Sequence, residues 1–577
     1  MDRHAVALVL NDIGTLLDLN GADPFRSRAF FSAARAVEWV EGDLADLVRS
    51  GELLRVRGIG AATARVVQEL VETGVSSMHQ ELRDRTPDGM IELLAVPGLG
   101  ARRIYLLHEA LGVDGLDALE HAAAAGRVAD VPGFGERTQE KIREGVAFVR
   151  ASIGRRRLPD ALTVAQFLVG FLEGVPGVER LKLSGELRRR LETVGGVDVL
   201  VATTTADDVL DAFLDLPGLV RAERRGRDAA EARYSDGIEL RVRCVPAEAF
   251  AAAWVLGTGS EAHAGALRAR AAERGLRLAE DGLWRGSARL EAADEVEVYR
   301  ALELAFVPPE LREGRGEVEA AARGELPDLV DYGDLRGCFH CHTTYSDGKA
   351  TLREMAGAAR ERGWRYLGIA DHSQAAAYAG GLTPERIRAQ HREIDQWNAE
   401  RGGDLWLFKG IEADILPDGR LDYEDLGDAV LGSFDYVVGS VHSSFGQPEA
   451  EMTARVRRAL GNPHLTFLGH PTGRLLLSRD SFRIDVPAIL AAAAERGVAI
   501  EINANPRRLE LDWRHWPAAR RLGIRTAINP DAHTTAGLGD VEFGIGVARK
   551  GWLTAADVVN AWDVDEVKAF FGSRRTR

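Results

Sequence analysis

From residue 336 to the C-terminus, seven short apolar runs alternate with helical stretches, and each leads into polar, mostly metal-capable residues. The candidate strands are 337–341, 366–370, 405–409, 436–440, 465–468, 498–502 and 525–528. Between them, stretches such as 352–362, 384–399 and 487–496 carry a helical period. This alternation predicts a parallel barrel, and barrel enzymes build their sites at the C-terminal ends of the strands. In order, those ends carry His340 and His342, Asp371-His372, Glu412, His442, His470, Asn503 and Asn505, and Asp531-x-His533. A lone histidine at a strand end is usually a satisfied structural residue. A polar residue after every strand is the pattern of a catalytic rim. His340 and His342 lie two apart, so alternation puts both imidazoles on one face, with Asp347 in the loop that follows.

Composition limits what surrounds this region. At 577 residues the chain exceeds what one core can serve, and several domains are expected. No run approaches the ~20 apolar residues of a membrane span, and the start lacks a signal-peptide pattern. Three cysteines cannot form a disulfide framework, so a cytoplasmic location without membrane partners is expected. Cys338-x-x-Cys341 would need a second pair to make a zinc ribbon. Alternation also directs its two thiols to opposite faces, which predicts packing roles. The net charge of −15 argues against wholesale attraction to nucleic acid, so any DNA contact must be local.

Such local features recur in the first 160 residues. Arg57-Gly-Ile-Gly60, Pro97-Gly-Leu-Gly100 and Pro132-Gly-Phe-Gly135 each follow an apolar run and precede an apolar-periodic helix. Glycine permits the tight turn, and amides at the start of the next helix can grip a phosphate. One Gly-x-Gly is an everyday turn between helices; three at similar spacing are helix-hairpin-helix signatures. They make Gly58, Gly60, Gly98, Gly100, Gly133 and Gly135 the candidate DNA-backbone contacts. The region holds 20 Lys and Arg against 24 Asp and Glu, so binding should be modest and salt-dependent. Arg155, Arg156 and Arg157 form its one clear basic cluster, either a DNA contact or a solvated linker.

The middle of the chain carries a family resemblance. Leu183-Ser-Gly-Glu-Leu-Arg-Arg-Arg-Leu-Glu-Thr-Val-Gly-Gly-Val-Asp198 is similar to the nucleotide-binding motif of bacterial family X DNA polymerases. Thr258-Gly-Ser260 with His263 resembles their thumb motif, and Phe306-Val-Pro-Pro-Glu-Leu-Arg312 the segment closing their polymerase core. The likeness covers essentially the whole chain and implies a multidomain α plus α/β protein. Its parts would be a helical DNA-binding domain (1–85) and a fingers-like domain with two further hairpins (86–158). A palm-like nucleotidyltransferase domain (159–246), a thumb-like domain (247–325) and a linker (326–335) would follow. The last part would be a distorted seven-stranded β/α barrel of the PHP (polymerase and histidinol phosphatase) type (336–577). Two-metal phosphoryl transfer needs clustered carboxylates, which the family supplies as an Asp-x-Asp pair and a third Asp on a neighbouring strand. Here Gly196 stands first, Asp198 remains, and Arg241 falls at the third position. Glu186 replaces a small serine beside the triphosphate, and Leu256-Gly257 replace an aromatic pair beside the sugar. Loss of polymerase activity is therefore expected. Val66 matches the lyase lysine of polymerase beta, and no lysine precedes Lys141, so Schiff-base lyase chemistry is not expected.

For the barrel, the resemblance implies nine metal ligands, His340, His342, Asp347, His372, Glu412, His442, His470, Asp531 and His533, holding up to three ions. By analogy His340 and His342 share one ion with Glu412 and Asp531. Asp347, His372 and His533 serve another, and Glu412, His442 and His470 complete the cluster. Mixed imidazole and carboxylate donors suit Mn²⁺, Zn²⁺ or Fe²⁺ over Mg²⁺. Glu412, Asp531 and His372 are the candidate catalytic residues, with Arg474 a candidate to hold a phosphate oxygen bidentately. Asp371 is expected to orient His372 or to lie at the rim, while Asn503 and Asn505 contact substrate or cap the Pro506 turn. The implied function is a DNA-repair nuclease, working as a monomer on gapped, nicked, 3′-ended or abasic DNA. Its activity would be 3′→5′ exonuclease, abasic-site endonuclease or 3′-end cleaning. A phosphomonoesterase would have no use for the hairpins, a non-catalytic scaffold none for nine ligands. A gap-filling polymerase would need the missing carboxylates.

Overall fold

A computed structural model describes residues 1–40 and 42–575, which form two compact units, Met1–Ile153 and Gly154–Arg577. The first unit is helical. In each of its three hairpins the central apolar residue is buried in the unit's core and donates its N–H three residues back. These bonds are Ile59 to Val56 (3.1 Å), Leu99 to Val96 (3.0 Å) and Phe134 to Val131 (2.9 Å). Reversing the chain that tightly puts Gly58, Gly98 and Gly133 at φ of +101°, +79° and +87°, where a side chain is strained. Gly60, Gly100 and Gly135 are then the extended N-caps of Ala61–Thr73, Ala101–Leu111 and Glu136–Ser152. Among the described residues no side chain caps the last two helices, so their first amides are left to an outside acceptor.

The second unit opens on a five-stranded sheet in the order Val178–Ser184, Gly196–Thr203, Glu239–Val245, Ala229–Tyr234, Leu219–Arg224. Helices Leu158–Glu173 and Ala206–Leu214 bury its apolar side chains. Parallel register sets Gly196 opposite Glu239 and Asp198 opposite Arg241. The arginine cluster before this sheet is not a solvated linker. Arg155 is held by Thr193 (2.9 Å) and Glu186 (3.1 Å), and Arg156 and Arg157 pair as a short antiparallel strand with Val194 and Thr193. Further along, buried His263 bridges Glu317 (2.6 Å) and the Tyr299 hydroxyl (2.9 Å). Glu295 is clamped between Arg312 (2.5 Å) and Arg188 (2.8 Å). Glu295 and Arg312 are buried and Arg188 half-buried, each with a partner, the condition under which burial of charge is tolerated.

Seven parallel strands in chain order make the barrel: Gly337–Cys341, Tyr366–Ile369, Trp406–Asp414, Tyr436–Ser440, Leu465–Leu468, Ala499–Asn503 and Thr526–Asn529. A bridge between Cys341 and Ala532 and a His342 N–H to Ala532 carbonyl bond (2.8 Å) nearly close the circle. The third strand runs five residues beyond its expected end. Gly410 is no break: a Cβ there would lie 2.3 Å from the Tyr436 ring, so the glycine serves close packing. One expectation fails outright. Cys338 and Cys341 do not face apart; their sulfurs lie 3.6 Å from one another. The register shifts between them, and His340 adopts φ +56°, which rotates the following residues out of simple alternation. Both thiols are buried, and burial followed by Cys338 pushes the Cys341 thiol well up, in keeping with a packing role.

At the strand starts an aromatic plug fills the barrel. The Phe571 ring, from the C-terminal helix, sits 5.5 Å from Phe339, 5.3 Å from Phe408 and 5.2 Å from Tyr436. Truncating this buried ring leaves a cavity among rigid neighbours. Phe571→Ala is expected to lower unfolding free energy by about 3–5 kcal/mol, read as a shifted urea midpoint with an unchanged slope.

Candidate metal centre

Parallel strands deliver their C-terminal residues to one rim, and at this rim the chain places all nine expected donors. They fall into four overlapping groups whose donor atoms lie within 4.8 Å of one another. The groups are His342, Asp347, His372 and His533; His340, Glu412 and His470; His340, His342 and Asp531; and His372, Glu412 and His442. This differs from the implied partition: His342 also joins Asp347, His372 also joins Glu412 and His442, and His340 joins His470, which falls in a separate group from His442. Glu412 stands at the centre. Its Oε1 lies 2.8 Å from His470 Nε2 and 3.2 Å from both His340 Nε2 and His442 Nε2, while Oε2 lies 2.8 Å from His372 Nδ1. Asp531 Oδ1 approaches His342 Nε2 at 3.3 Å, and Asp347 Oδ1 approaches His533 Nε2 at 3.3 Å.

The chemistry of this set fits a metal. His340 Nε2, both ring nitrogens of His342, His372 Nδ1 and Glu412 Oε2 are buried without a hydrogen bond. They lie close to carboxylate or imidazole donors without making hydrogen bonds, as buried ligand atoms left for a cation do. Burial would raise the Glu412 carboxyl, but His442, His340 and His372 hold it well below its usual range. Asp531 is likewise held down, chiefly by His340 and His342 against burial. In return, His442 is lifted to about 10 by Glu412 and Asp414, and His533 to about 9 by Asp347 and Asp531, both against burial. Burial and the charge of His372 push His342 down to about 3, leaving it neutral. Ionised carboxylates beside proton-hungry imidazoles are a site in which a divalent cation displaces protons.

The supporting residues were only partly legible. Glu501, inside a fully buried strand, accepts from His340 Nδ1 (2.6 Å) and from the His470 amide (2.7 Å). A carboxylate in an otherwise apolar strand was the signal for it. Asp414 holds His442 Nδ1 (2.7 Å), two residues past Glu412 on the longer strand. Asn503 reaches Asp531 (3.2 Å), and Asn505 caps the Pro506 turn by accepting from the Arg507 amide (3.0 Å). Asp371 does not orient His372; it accepts from Thr343, Ser346 and Gln390 and ties down the loop bearing Asp347.

Arg474 also departs from expectation. Its guanidinium donates to the carbonyls of Arg508 (2.9 Å) and Leu509, to Asp512 (3.2 Å) and to Glu192 of the five-stranded-sheet region (3.3 Å). Every face of it is committed. The cation that reaches the centre is Arg508, whose Nε lies 3.6 Å from Asp531 Oδ2 and whose Nη1 has no hydrogen-bond partner. A cavity of about 540 Å³ lies elsewhere, over the sheet around Asp198, Arg241 and Glu186. There Arg241 Nε binds Asp198 at 2.5 Å, and Glu186 accepts from the Gly195 amide (2.8 Å). A Cβ on Gly196 would meet the Glu239 carbonyl at 2.7 Å and Arg241 Nη2 at 2.9 Å.

Family comparisons match residues 1–76 to a helix-hairpin-helix domain and 90–147 to a SAM-like helix-hairpin-helix tandem. Residues 253–313 match the DNA polymerase beta thumb, and 339–505 the PHP domain. The DNA polymerase/3′-5′ exonuclease PolX of Bacillus subtilis (strain 168) is 35% identical over 578 residues, 99% of each chain. A probable phosphatase of Thermoanaerobacter sp. (strain X514) is 27% identical over 258 residues, 41% of this chain and 95% of that protein. One of Shewanella sp. (strain MR-4) is 26% identical over 219 residues, 36% of this chain and 80% of that protein.

If Arg474 is structural, Arg474→Ala leaves Glu192 and two carbonyls short of a donor. The expected result is a loss of about 2–4 kcal/mol in stability, measured by denaturant melt. A substrate-binding arginine would instead raise KM at unchanged stability.

Proposed function

The chain belongs to the PolX family of bacterial family X DNA polymerases with a C-terminal PHP domain, and we propose that its working centre is the barrel rim alone. It is an enzyme acting on DNA. Our reading is that it hydrolyses DNA phosphodiesters in the 3′→5′ direction, with abasic-site cleavage and 3′-end cleaning as related reactions of the same centre. One contrast supports the reading: nine donors crowd together at the barrel, with inward atoms of His340, His342, His372 and Glu412 buried without a hydrogen bond, while Asp198 is neutralised by Arg241 within its own chain. A carboxylate already paired to a guanidinium at 2.5 Å, with glycine beside it, offers no pair of cation sites.

His340, His342, Glu412, Asp531, Asp347, His372, His533, His442 and His470 would hold up to three cations, Mn²⁺, Zn²⁺ or Fe²⁺ by donor type. When bound, such ions supply Lewis acidity, making water reactive at neutral pH and offsetting charge on phosphate oxygens. The chain's own residues do the rest. Glu501, Asp414 and Asn503 fix the rotamers of His340, His442 and Asp531. Asp347 and His533, each about one-third exposed, are the donors a substrate meets first. Arg508 stands beside Asp531 to take charge on a phosphate oxygen. At the hairpins, the uncapped amides of Ala101–Leu111 and Glu136–Ser152 would grip the DNA backbone, placing Gly98, Gly100, Gly133 and Gly135 against it. We picture a cytoplasmic monomer on gapped, nicked, 3′-ended or abasic DNA.

The test uses 5′-labelled gapped DNA and an abasic duplex with Mn²⁺, with and without dNTPs. Shortening or nicking by the wild-type protein should fall by about 100-fold or more in His342→Ala. Primer extension that depends on dNTPs and survives His342→Ala would overturn the assignment of a lost polymerase. Gly196→Asp alone should not restore extension, because its side chain runs into Arg241 and the Glu239 carbonyl. Extension by that single variant would show that the strand opens where the packing says it does not.

A further inference from the structure

The loop that follows His372 presents an aromatic ring that the metal centre does not use. Its ends are bonded tightly: the Ser373 amide donates to the Glu412 carbonyl (2.9 Å) and the Leu382 amide to the His372 carbonyl (2.9 Å). Partners across the rim also hold it, as Gln374 N–H donates to the Tyr423 hydroxyl (2.8 Å) and Ala375 N–H to Asp422 (2.7 Å). Ala376 and Ala379 pack inward and are buried. Between them Tyr378 is 75% exposed, with its ring centre 6.2 Å from that of His372. Among the described residues nothing hydrogen-bonds its hydroxyl, and no other ring or cation covers it. Other aromatics near the rim are already engaged: Tyr423 is buried and donates to the Leu382 carbonyl, Tyr345 donates to Glu393 (2.9 Å), and Phe445 has Phe482 stacked on it at 5.9 Å and Arg479 over it at 4.5 Å.

A large neutral ring held rigidly at the mouth of a phosphodiesterase site is suited to one class of ligand, the flat face of a nucleobase. Resting on the reading above, we propose that Tyr378 stacks the base of the terminal nucleotide while its phosphate lies at the Glu412–Asp531 centre beside Arg508. On this arrangement the enzyme takes an unstacked terminal base and distinguishes a nucleotide end from a bare phosphate ester. Base stacking tolerates any sequence, since every base has a π-face. Tyr378 is thus a specificity-determining residue rather than a ligand or proton carrier.

Two measurements on the full-length protein test it. The first compares kcat/KM for single strands ending in an ordinary 3′ nucleotide or in a base-free tetrahydrofuran residue. Tyr378→Ala should lose roughly tenfold on the base-bearing end through KM, change by less than about twofold on the base-free end, and be rescued by Tyr378→Phe. The second, in EDTA, photo-crosslinks DNA carrying 3′-terminal 5-iodouracil and maps the adduct by mass spectrometry, where residue 378 is expected. Equal losses on both ends, or an adduct elsewhere together with an unaffected Tyr378→Ala, would overturn the proposal. A wild-type protein that cuts neither substrate overturns the nuclease reading instead, and the metal-free adduct then decides Tyr378 by itself.

Discussion

A carboxylate buried at the end of a parallel strand cannot stay charged without partners, and Glu412 sets the terms for the whole barrel. Only 1% exposed, it is met by five imidazoles from four strand ends, those of His340, His342, His372, His442 and His470. Bringing those ends together requires strands in one direction and common register, with crossover helices outside. It also requires the opposite mouth to be sealed, which the aromatic plug around Phe571 does. The outer supports follow from the same need: Glu501, Asp414 and Asn503 each fix one donor that would otherwise turn away.

The five-stranded sheet shows the alternative fate of a carboxylate. Asp198 takes its counter-charge from Arg241 on the adjacent strand, and Glu186 takes an amide and Arg155. Charge that could have been spent on a ligand is spent internally. The sheet region still contributes to the barrel, because Glu192 anchors Arg474, which carries the carbonyls of Arg508 and Leu509. Buried Lys550 adds a second tie through Arg189, Glu310 and Glu313. Through these ties the sheet region holds the segment from which Arg508 reaches Asp531.

Local pattern located the donors well and misjudged how backbone geometry brings them together. His340 and His342 do face one centre, but through a left-handed residue and a register shift rather than plain alternation, and the same shift brings Cys338 to Cys341. The third strand, expected to end at residue 409, continues through Gly410, whose missing Cβ lets the Tyr436 ring pack against the strand. Arg474 and Arg508 could not be told apart by spacing. Both follow short polar turns, and only the fold decides which guanidinium is consumed by carbonyls.

The sequence by itself carried the domain types, the three hairpins, the nine candidate donors and the identities of Gly196 and Arg241 at positions where the family keeps carboxylates. These rest on residue type and short-range spacing, which survive in any conformation compatible with the elements. Tertiary structure alone decided which donors share a point in space, that Asp371 serves the loop rather than His372, and that Tyr378 stands uncovered at the rim. Those are contacts between segments tens of residues apart, and their distances depend on packing that no local pattern encodes.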